Sequence, residues 1–442
     1  LRLIVLLLIV LAGLALRVDH AWQGSDGNLP DSAAYERIAR GLSDAGRYEQ
    51  VGPGTPAHPQ PASNYSPGLP LLTGSIFYLA GDDDVRLARV FLALIASLAI
   101  PIAFLIARRL AGPNAGLMAA AIIAFYPTLI TDSGMLLTEP LAATLIAGTV
   151  LAILRARDQS GWFTWVVAGV LLGLTVMVRP EYLIVGLALL IALFAIEARG
   201  GIGHALRPTA LMLLAGLVVL APWTIHNTVE YERLVPLSTG GGQTLFAGSY
   251  LDSGGNPTRV SPDLLARNPR ILARIERENR ISGEGPESIT PERVFTLLAS
   301  QRLPGLSTDE ALARLGREQY GDALHDDPVG LAGFLFHKAN RIWLRGRSGA
   351  IESLPGRLLH WLIVLSALSG VLVLAFRRRP EFWIFASIIL SVTLVGVVLV
   401  ASPRRAMVLW PLVDVLAGIG LSAALELAKA GVQRRRRAFA IA

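Results

Sequence analysis

The chain opens on an apolar run, LRLIVLLLIVLAGLAL, in which Arg2 is the sole charge. Similar runs recur, and about 17–25 mostly apolar residues match the thickness of bilayer hydrocarbon. They predict ten membrane spans, near 1–17, 86–107, 114–131, 136–154, 162–178, 181–197, 208–224, 357–376, 381–401 and 405–427. The first is short, and a start on Leu1 leads us to expect that residues precede it. A cleaved signal peptide is the rival reading of that run, but no small-x-small site follows the apolar core.

Two polar segments, 18–85 and 225–356, are too long to be turns. In the first, Tyr35, Ile38 and Leu42 recur at helical spacing opposite Glu36, Arg37 and Arg40, which predicts a helix lying on the membrane surface. Asp31 stands where that helix begins and reads as its cap; Ser32 is the alternative cap, leaving Asp31 free. The stretch VGPGTPAHPQPASNYSPGLP admits no regular structure and leads into LLTGSIFYLAG, an interfacial segment too short to span. In the second, Thr290-Pro291 reads as a cap with Pro in the first turn, and Ser307 with Glu310 as a capping box. The segment VGLAGFLFHKANRIW (329–343) is amphipathic and is expected at the membrane face. The fold class is thus an all-α polytopic membrane protein of about ten transmembrane helices, its extracytoplasmic loops containing short interfacial helices. We divide it into a transmembrane module (1–224) with the first outer loop (18–85), a loop cap (225–356), and C-terminal helices with a basic cytoplasmic tail (357–442).

Composition agrees with lipid as the solvent: 53% of residues are hydrophobic and 17% charged, against about a quarter charged in soluble domains. The absence of cysteine excludes disulfides, thiolate metal sites and a Cys nucleophile. The net charge is +7, and Arg supplies all the Lys/Arg positions but Lys338 and Lys429. Arg108-Arg109, Arg155 with Arg157, Arg199 with Arg207, Arg377-Arg378-Arg379, and Lys429 with Arg434-Arg435-Arg436-Arg437 fall at alternate junctions. By the positive-inside rule these junctions and both termini are cytoplasmic and the long loops face outward. The basic tail is a signal for topology and lipid headgroups, and no nucleic acid partner is expected. Arg- and Ala-rich, Lys-poor usage suggests a bacterium of high genomic GC, hence a multi-pass protein of the plasma membrane.

Ionisable residues near membrane segments are costly and mark candidate sites. They gather at the outer ends of spans: Asp132 and Glu139 in TDSGMLLTEPL, Arg179 and Glu181 in VRPEYL, His226 and Asn227 in APWTIHN, and Arg404-Arg405 in SPRRAM. Each has a bland reading, since Asp132 can cap a helix, Arg179 can pair with Glu181, and the arginines can snorkel. Together with Asp31 they form one rim holding acids and bases. Such a rim suits transfer of a sugar from a polyprenyl phosphate. The leaving group is a phosphate held by cations, and a carboxylate accepts the acceptor hydroxyl's proton.

These residues resemble the C-type (GT-C) polyprenyl-phosphate-sugar glycosyltransferases, the group that holds protein mannosyltransferases and the lipid A aminoarabinose transferase. Asp31, Tyr35, Ile38, Ala39 and Leu42 fit the first-loop pattern D-x3-Y-x2-IA-x2-L. Ser66-Pro67-Gly68-Leu69-Pro70 and Leu137-Thr138-Glu139-Pro140 follow. Then come Arg179-Pro180-Glu181, Pro222-Trp223 with Asn227, the loop PLSTGGG (236–242), the helix DDPVGLAGFLFHKANRIW, and Ser402-Pro403-Arg404-Arg405. The resemblance implies an inverting transferase with Asp31 as general base and Glu139 helping to build the site. Arg179, His226, Arg404 and Arg405 would hold the donor phosphate, and Tyr35, Asp132, Glu181 and Asn227 would line the substrate. Relatives commonly show Arg where this chain has His226, a position that here donates one hydrogen bond or binds a metal; dependence on a divalent metal stays open. The implied partners are a polyprenyl-phosphate-linked sugar donor, a glycan, lipid or protein acceptor, and membrane lipids. The rival readings are a secondary transporter or flippase, which would use Asp414 and Pro411 in the last span, and a polyprenyl-linked glycan ligase.

Overall fold

The computed structural model describes residues 1–24, 29–50, 64–159, 161–254, 256–282, 285, 289–344 and 353–441. Residues 51–63, most of the Pro/Gly-rich stretch for which the sequence admits no regular structure, lie outside them. In chain order the first helices are α1 (Arg2–Gln23), α2 (Pro30–Ala45), α3 (Gly68–Ala80), α4 (Val85–Ser97), α5 (Ala99–Ala111), α6 (Pro113–Phe125) and α7 (Pro127–Ser133). They continue with α8 (Thr138–Asp158), α9 (Phe163–Val178), α10 (Tyr182–Glu197) and α11 (Ile202–Glu230). Next come α12 (Gly241–Ser249), α13 (Pro257–Arg267), α14 (Pro269–Ser282), α15 (Pro291–Arg302), α16 (Thr308–Asp326) and α17 (Pro328–Leu344). The chain closes with α18 (Leu354–Phe376), α19 (Glu381–Val398), α20 (Pro403–Met407) and α21 (Trp410–Ile441). Two compact units emerge, one of Leu1–Leu237, Gly346–Ser391 and Ala406–Ala442, the other of Ser238–Arg345 with Val392–Arg405.

Among the described residues, 8 helices are long and apolar enough to cross a membrane. The broken pair α6–α7 and the shorter α9 account for the remaining two predicted segments. The segment near 114–131 is not one straight span: Pro127 begins a new helix after a bend of 58°. Pro has no N–H for the preceding turn and its ring clashes with it, so the helix ends at Phe125 and restarts.

The first unit is packed for lipid. The central α8 is buried on most of its surface, whereas α1 exposes Leu3, Leu7, Leu8 and Leu11. Within α8, Thr144 and Thr149 return their hydroxyls to the carbonyls of Pro140 and Leu145, so these polar side chains carry no unmet hydrogen bond. Small residues let backbones meet. A Cβ on Gly370 of α18 would overlap the Leu416 carbonyl of α21, and one on Gly420 of α21 the Ser366 carbonyl. Gly169 of α9 faces Met212 of α11 in the same way. At the ends of α5 and α8, Arg109 pairs with Asp158 at 2.6 Å and with Glu381 at 3.1 Å. Arg157 pairs with Glu197 at 2.7 Å and with the same Glu381 at 3.3 Å, so two arginines tie four helix ends.

The second unit has its own core, in which Phe246, Val260, Ile275, Phe295 and Leu312 pack from α12 to α16. Both anticipated caps form: Thr290 accepts from the Arg293 amide, and Ser307 with Glu310 closes a capping box. Helix α17 is amphipathic, but its buried face includes Lys338 beside Leu331, Phe334 and Ile342. The ammonium donates to the carbonyls of Gly248 and Leu399, each at 2.6 Å, and to the Tyr320 hydroxyl at 3.0 Å. Tyr320 in turn donates to the Val398 carbonyl at 2.7 Å. The Val398 and Leu399 carbonyls are those left open where α19 stops. Burial, with the Arg405 charge second, pushes the Lys338 amine down to about 7.

Two outcomes are expected. Gly370→Ala forces the α18–α21 crossing apart and costs about 1–3 kcal/mol, read as a lower thermal midpoint of the purified protein in detergent. The unfolded Lys338 amine titrates near its ordinary value, so above about pH 7 the unfolded chain binds more protons than the folded one. Stability then rises with pH from about 7 toward 10, and Lys338→Met flattens that slope in midpoints recorded across the same range.

Candidate active site

The surface helix anticipated around Tyr35 exists and is docked. Helix α2 buries Tyr35, Ile38 and Ala39, and Ile38 packs with Tyr48 and Trp223, supported by Leu42, Tyr65 and Met177. Tyr48 meets the Trp223 ring edge-on at 4.7 Å and donates to the Tyr65 carbonyl at 3.1 Å; Tyr65 in turn meets Tyr35 edge-on at 5.5 Å. Aromatic pairs in this geometry fix orientation as well as area. The helix starts two residues earlier than Asp31 as its cap would have it: Leu29 is the N-cap, Pro30 occupies the first position, and no side chain caps it. Pro's preset φ begins the helix and needs no N–H partner. Asp31 therefore lies inside the first turn, half-buried.

Adjacent to this docked helix, the Ser66-Pro67-Gly68 turn seats on the end of α9. Ser66 donates to the Val178 carbonyl at 2.6 Å, and Gly68 lies so close to Val178 that a Cβ there would collide with its backbone. The next residue is Arg179. Its guanidinium is held at 3.0 and 2.7 Å by Glu181, at 3.0 Å by the Thr138 hydroxyl, and at 3.4 Å by Glu139. Burial opposes the Arg179 charge, but Glu181 and Glu139 more than offset it and raise its pKa. The structure thus joins three residues singled out in the sequence, Glu139, Arg179 and Glu181, into one cluster with a formal charge of −1.

Glu139 also faces inward. With Asp132, Ser133 and Thr144 it lines a cavity of about 30 Å³, whose far wall includes Arg17, room for one or two waters. Asp132 and Glu139 are both buried. Among the described residues no group of three His, Cys, Asp or Glu side chains is placed to hold a metal ion.

The remaining residues are placed separately. His226 stacks on Trp223 at 5.1 Å and is exposed, while the Asn227 amide donates to the Leu237 carbonyl at 3.1 Å, the same oxygen that Trp223 reaches at 2.8 Å. Arg404 and Arg405 belong to the second unit, where Arg405 donates to the Val400 carbonyl at 2.7 Å. Sequence reasoning passed over Arg17 and Thr138. Arg17 had a signal, as a lone charge at the end of an apolar run; Thr138 had none beyond adjacency to Glu139.

Residues 58–226 match the family model described as dolichyl-phosphate-mannose-protein mannosyltransferase. A search of curated proteins gave no match. Among solved structures, the fold resembles the Archaeoglobus fulgidus oligosaccharyltransferase AglB in complex with an inhibitory peptide and a dolichol-phosphate. That match has a TM-score of 0.58 at 18% identity over 97% of this chain and 51% of the other. The apo form of the same archaeal enzyme gives a TM-score of 0.58 at 16% identity over 99% and 52%. The chain spans about half the length of these enzymes, and the likeness is one of fold. Residues 58–226 are thus similar to the dolichyl-phosphate-mannose-protein mannosyltransferase family, and the chain shares the fold of the archaeal oligosaccharyltransferase along nearly its whole length.

Proposed function

We propose that the protein transfers a sugar from a polyprenyl-phosphate donor to an acceptor hydroxyl at the extracytoplasmic face, with inversion. The carrying observation is the partly buried Glu139–Arg179–Glu181 cluster at the end of α9, reached by the turn that follows the docked helix bearing half-exposed Asp31. The dolichol-phosphate in the complex of the archaeal relative supports a lipid phosphate as the donor's carrier.

In this reading Asp31 takes the acceptor's proton as the hydroxyl oxygen attacks the anomeric carbon. The bond from that carbon to the phosphate oxygen breaks, and polyprenyl phosphate departs with the electron pair. A carboxylate suffices as the base because the hydroxyl becomes acidic only as the glycosidic bond forms, and because its place in the first helical turn fixes its orientation. Arg179 already balances two carboxylates, so it orients Glu139 and Glu181 toward the sugar. The family resemblance assigns the departing phosphate to Arg179 with Arg404 or Arg405, and His226 to a single hydrogen bond. Tyr35, Asp132 and Asn227 shape the walls. The acceptor is a glycan, lipid or protein hydroxyl.

Release of free polyprenyl phosphate from a panel of polyprenyl-phosphate sugars by the reconstituted protein tests this. Asp31→Asn is expected to slow release by about 10²–10⁴-fold while donor binding persists. Turnover by that variant at the wild-type rate would move the base elsewhere, and no turnover of any donor with any acceptor class would sink the reading. Arg179→Met leaves two carboxylates without their counter-charge, so it is expected to cost about 3–5 kcal/mol of stability as well as activity. Glu139→Gln keeps the Glu181 pairing and is expected to lose activity with a much smaller fall in the thermal midpoint.

A further inference from the structure

We infer that Arg17 is a positioning residue that stands in for the N–H missing at Pro127 and thereby holds the bend that sets Asp132 and the approach to Glu139. Arg17 lies on a membrane-spanning helix yet is only 1% exposed. Its Nη2 donates to the Ile123 carbonyl at 2.5 Å, and its Nη1 to the carbonyls of Ala124 at 3.2 Å and Gly13 at 3.0 Å. Two of these oxygens belong to the last turn of α6. In an unbroken helix the Ile123 carbonyl would accept from the amide four residues on, and that residue is Pro127. The guanidinium fills the vacancy from another helix.

Immediately past the break lie residues of the site. Helix α7 carries Asp132 and Ser133, and after Gly134 the chain turns into Thr138 and Glu139. Helix α1 holds this run along its length. A Cβ on Gly13 would lie 2.9 Å from that of Ala124, and a Cβ on Gly134 would lie 3.1 Å from the Ala21 backbone. The same arrangement explains Asp414, the residue that suits a transporter. Its carboxylate is fully buried with no hydrogen-bond partner, and it acts electrostatically on Arg17.

This inference rests on the proposed function only where turnover is read. The chain has no cysteine, so spin labels at Asn114→Cys and Thr131→Cys report the α6–α7 bend. Arg17→Met leaves Pro127 breaking the helix but no longer holds its angle, so the distance is expected to spread over up to about 3 Å, the difference between a bent and a straight pair at 1.5 Å per residue. It is also expected to lower the thermal midpoint and cut turnover more than tenfold. Adding Pro127→Ala returns an amide to Ile123, so the midpoint recovers and the distance becomes single and long while turnover stays low. A purely structural role would restore turnover together with the midpoint. An unchanged distance in Arg17→Met, no midpoint recovery in the double variant, or rescue of every readout by Asp414→Asn would each overturn the inference. If Arg17→Met does not fold, Arg17→Lys, which keeps the charge but loses the fork, is read by the same distances. Absence of turnover in the wild type would remove the proposed function, while the distance and midpoint arms still decide the role of Arg17.

Discussion

A backbone carbonyl freed inside or beside hydrocarbon has no water to accept from, and this constraint governs the molecule. The chain breaks or ends its helices where the candidate chemistry gathers, and each end is closed by a side chain from far along the sequence. Arg17 serves α6, Ser66 serves α9 at Val178, and Arg89 donates to the Gly24 carbonyl at 2.7 Å after α1. In the second unit Lys338 and Tyr320 do the same for α19. The polar groups that look out of place in an apolar chain are largely there because the helices stop.

The proposed site follows the same economy. Arg179 is a helix-end residue whose charge is consumed by carboxylates brought from α8 and from two positions along its own loop. A bound arginine of this kind orients acids and holds its own loop against the start of α8.

Much of this was legible along the chain. Spans show through length and hydropathy, so all ten predicted segments appear as helices, and the Tyr35, Ile38 and Leu42 stripe marks the docked face of α2. Local caps at Thr290 and Ser307 need only neighbours a few residues away. The bend at Pro127 was hidden because the apolar run continues through it, and the helix start at Pro30 because Asp31 is itself a favoured cap. Glu181, two residues from Arg179, was an evident partner, but Glu139, Thr138 and the carbonyls under Arg17 lie far away in sequence. No local periodicity encodes such partners; they exist only once the bundle has packed.

The buried residues of α1 are Gly13, Arg17 and Ala21, each four apart and so on one stripe. A single residue inserted between them would turn half of that stripe by about 100° and carry the guanidinium away from its carbonyls. Residues added ahead of Gly13 would merely lengthen the helix at its other end. The first helix is therefore free in length but fixed in phase. Members of a lineage descending from this chain can vary how their first span begins, while the eight-residue interval from Gly13 to Ala21 behaves as an indivisible unit of inheritance.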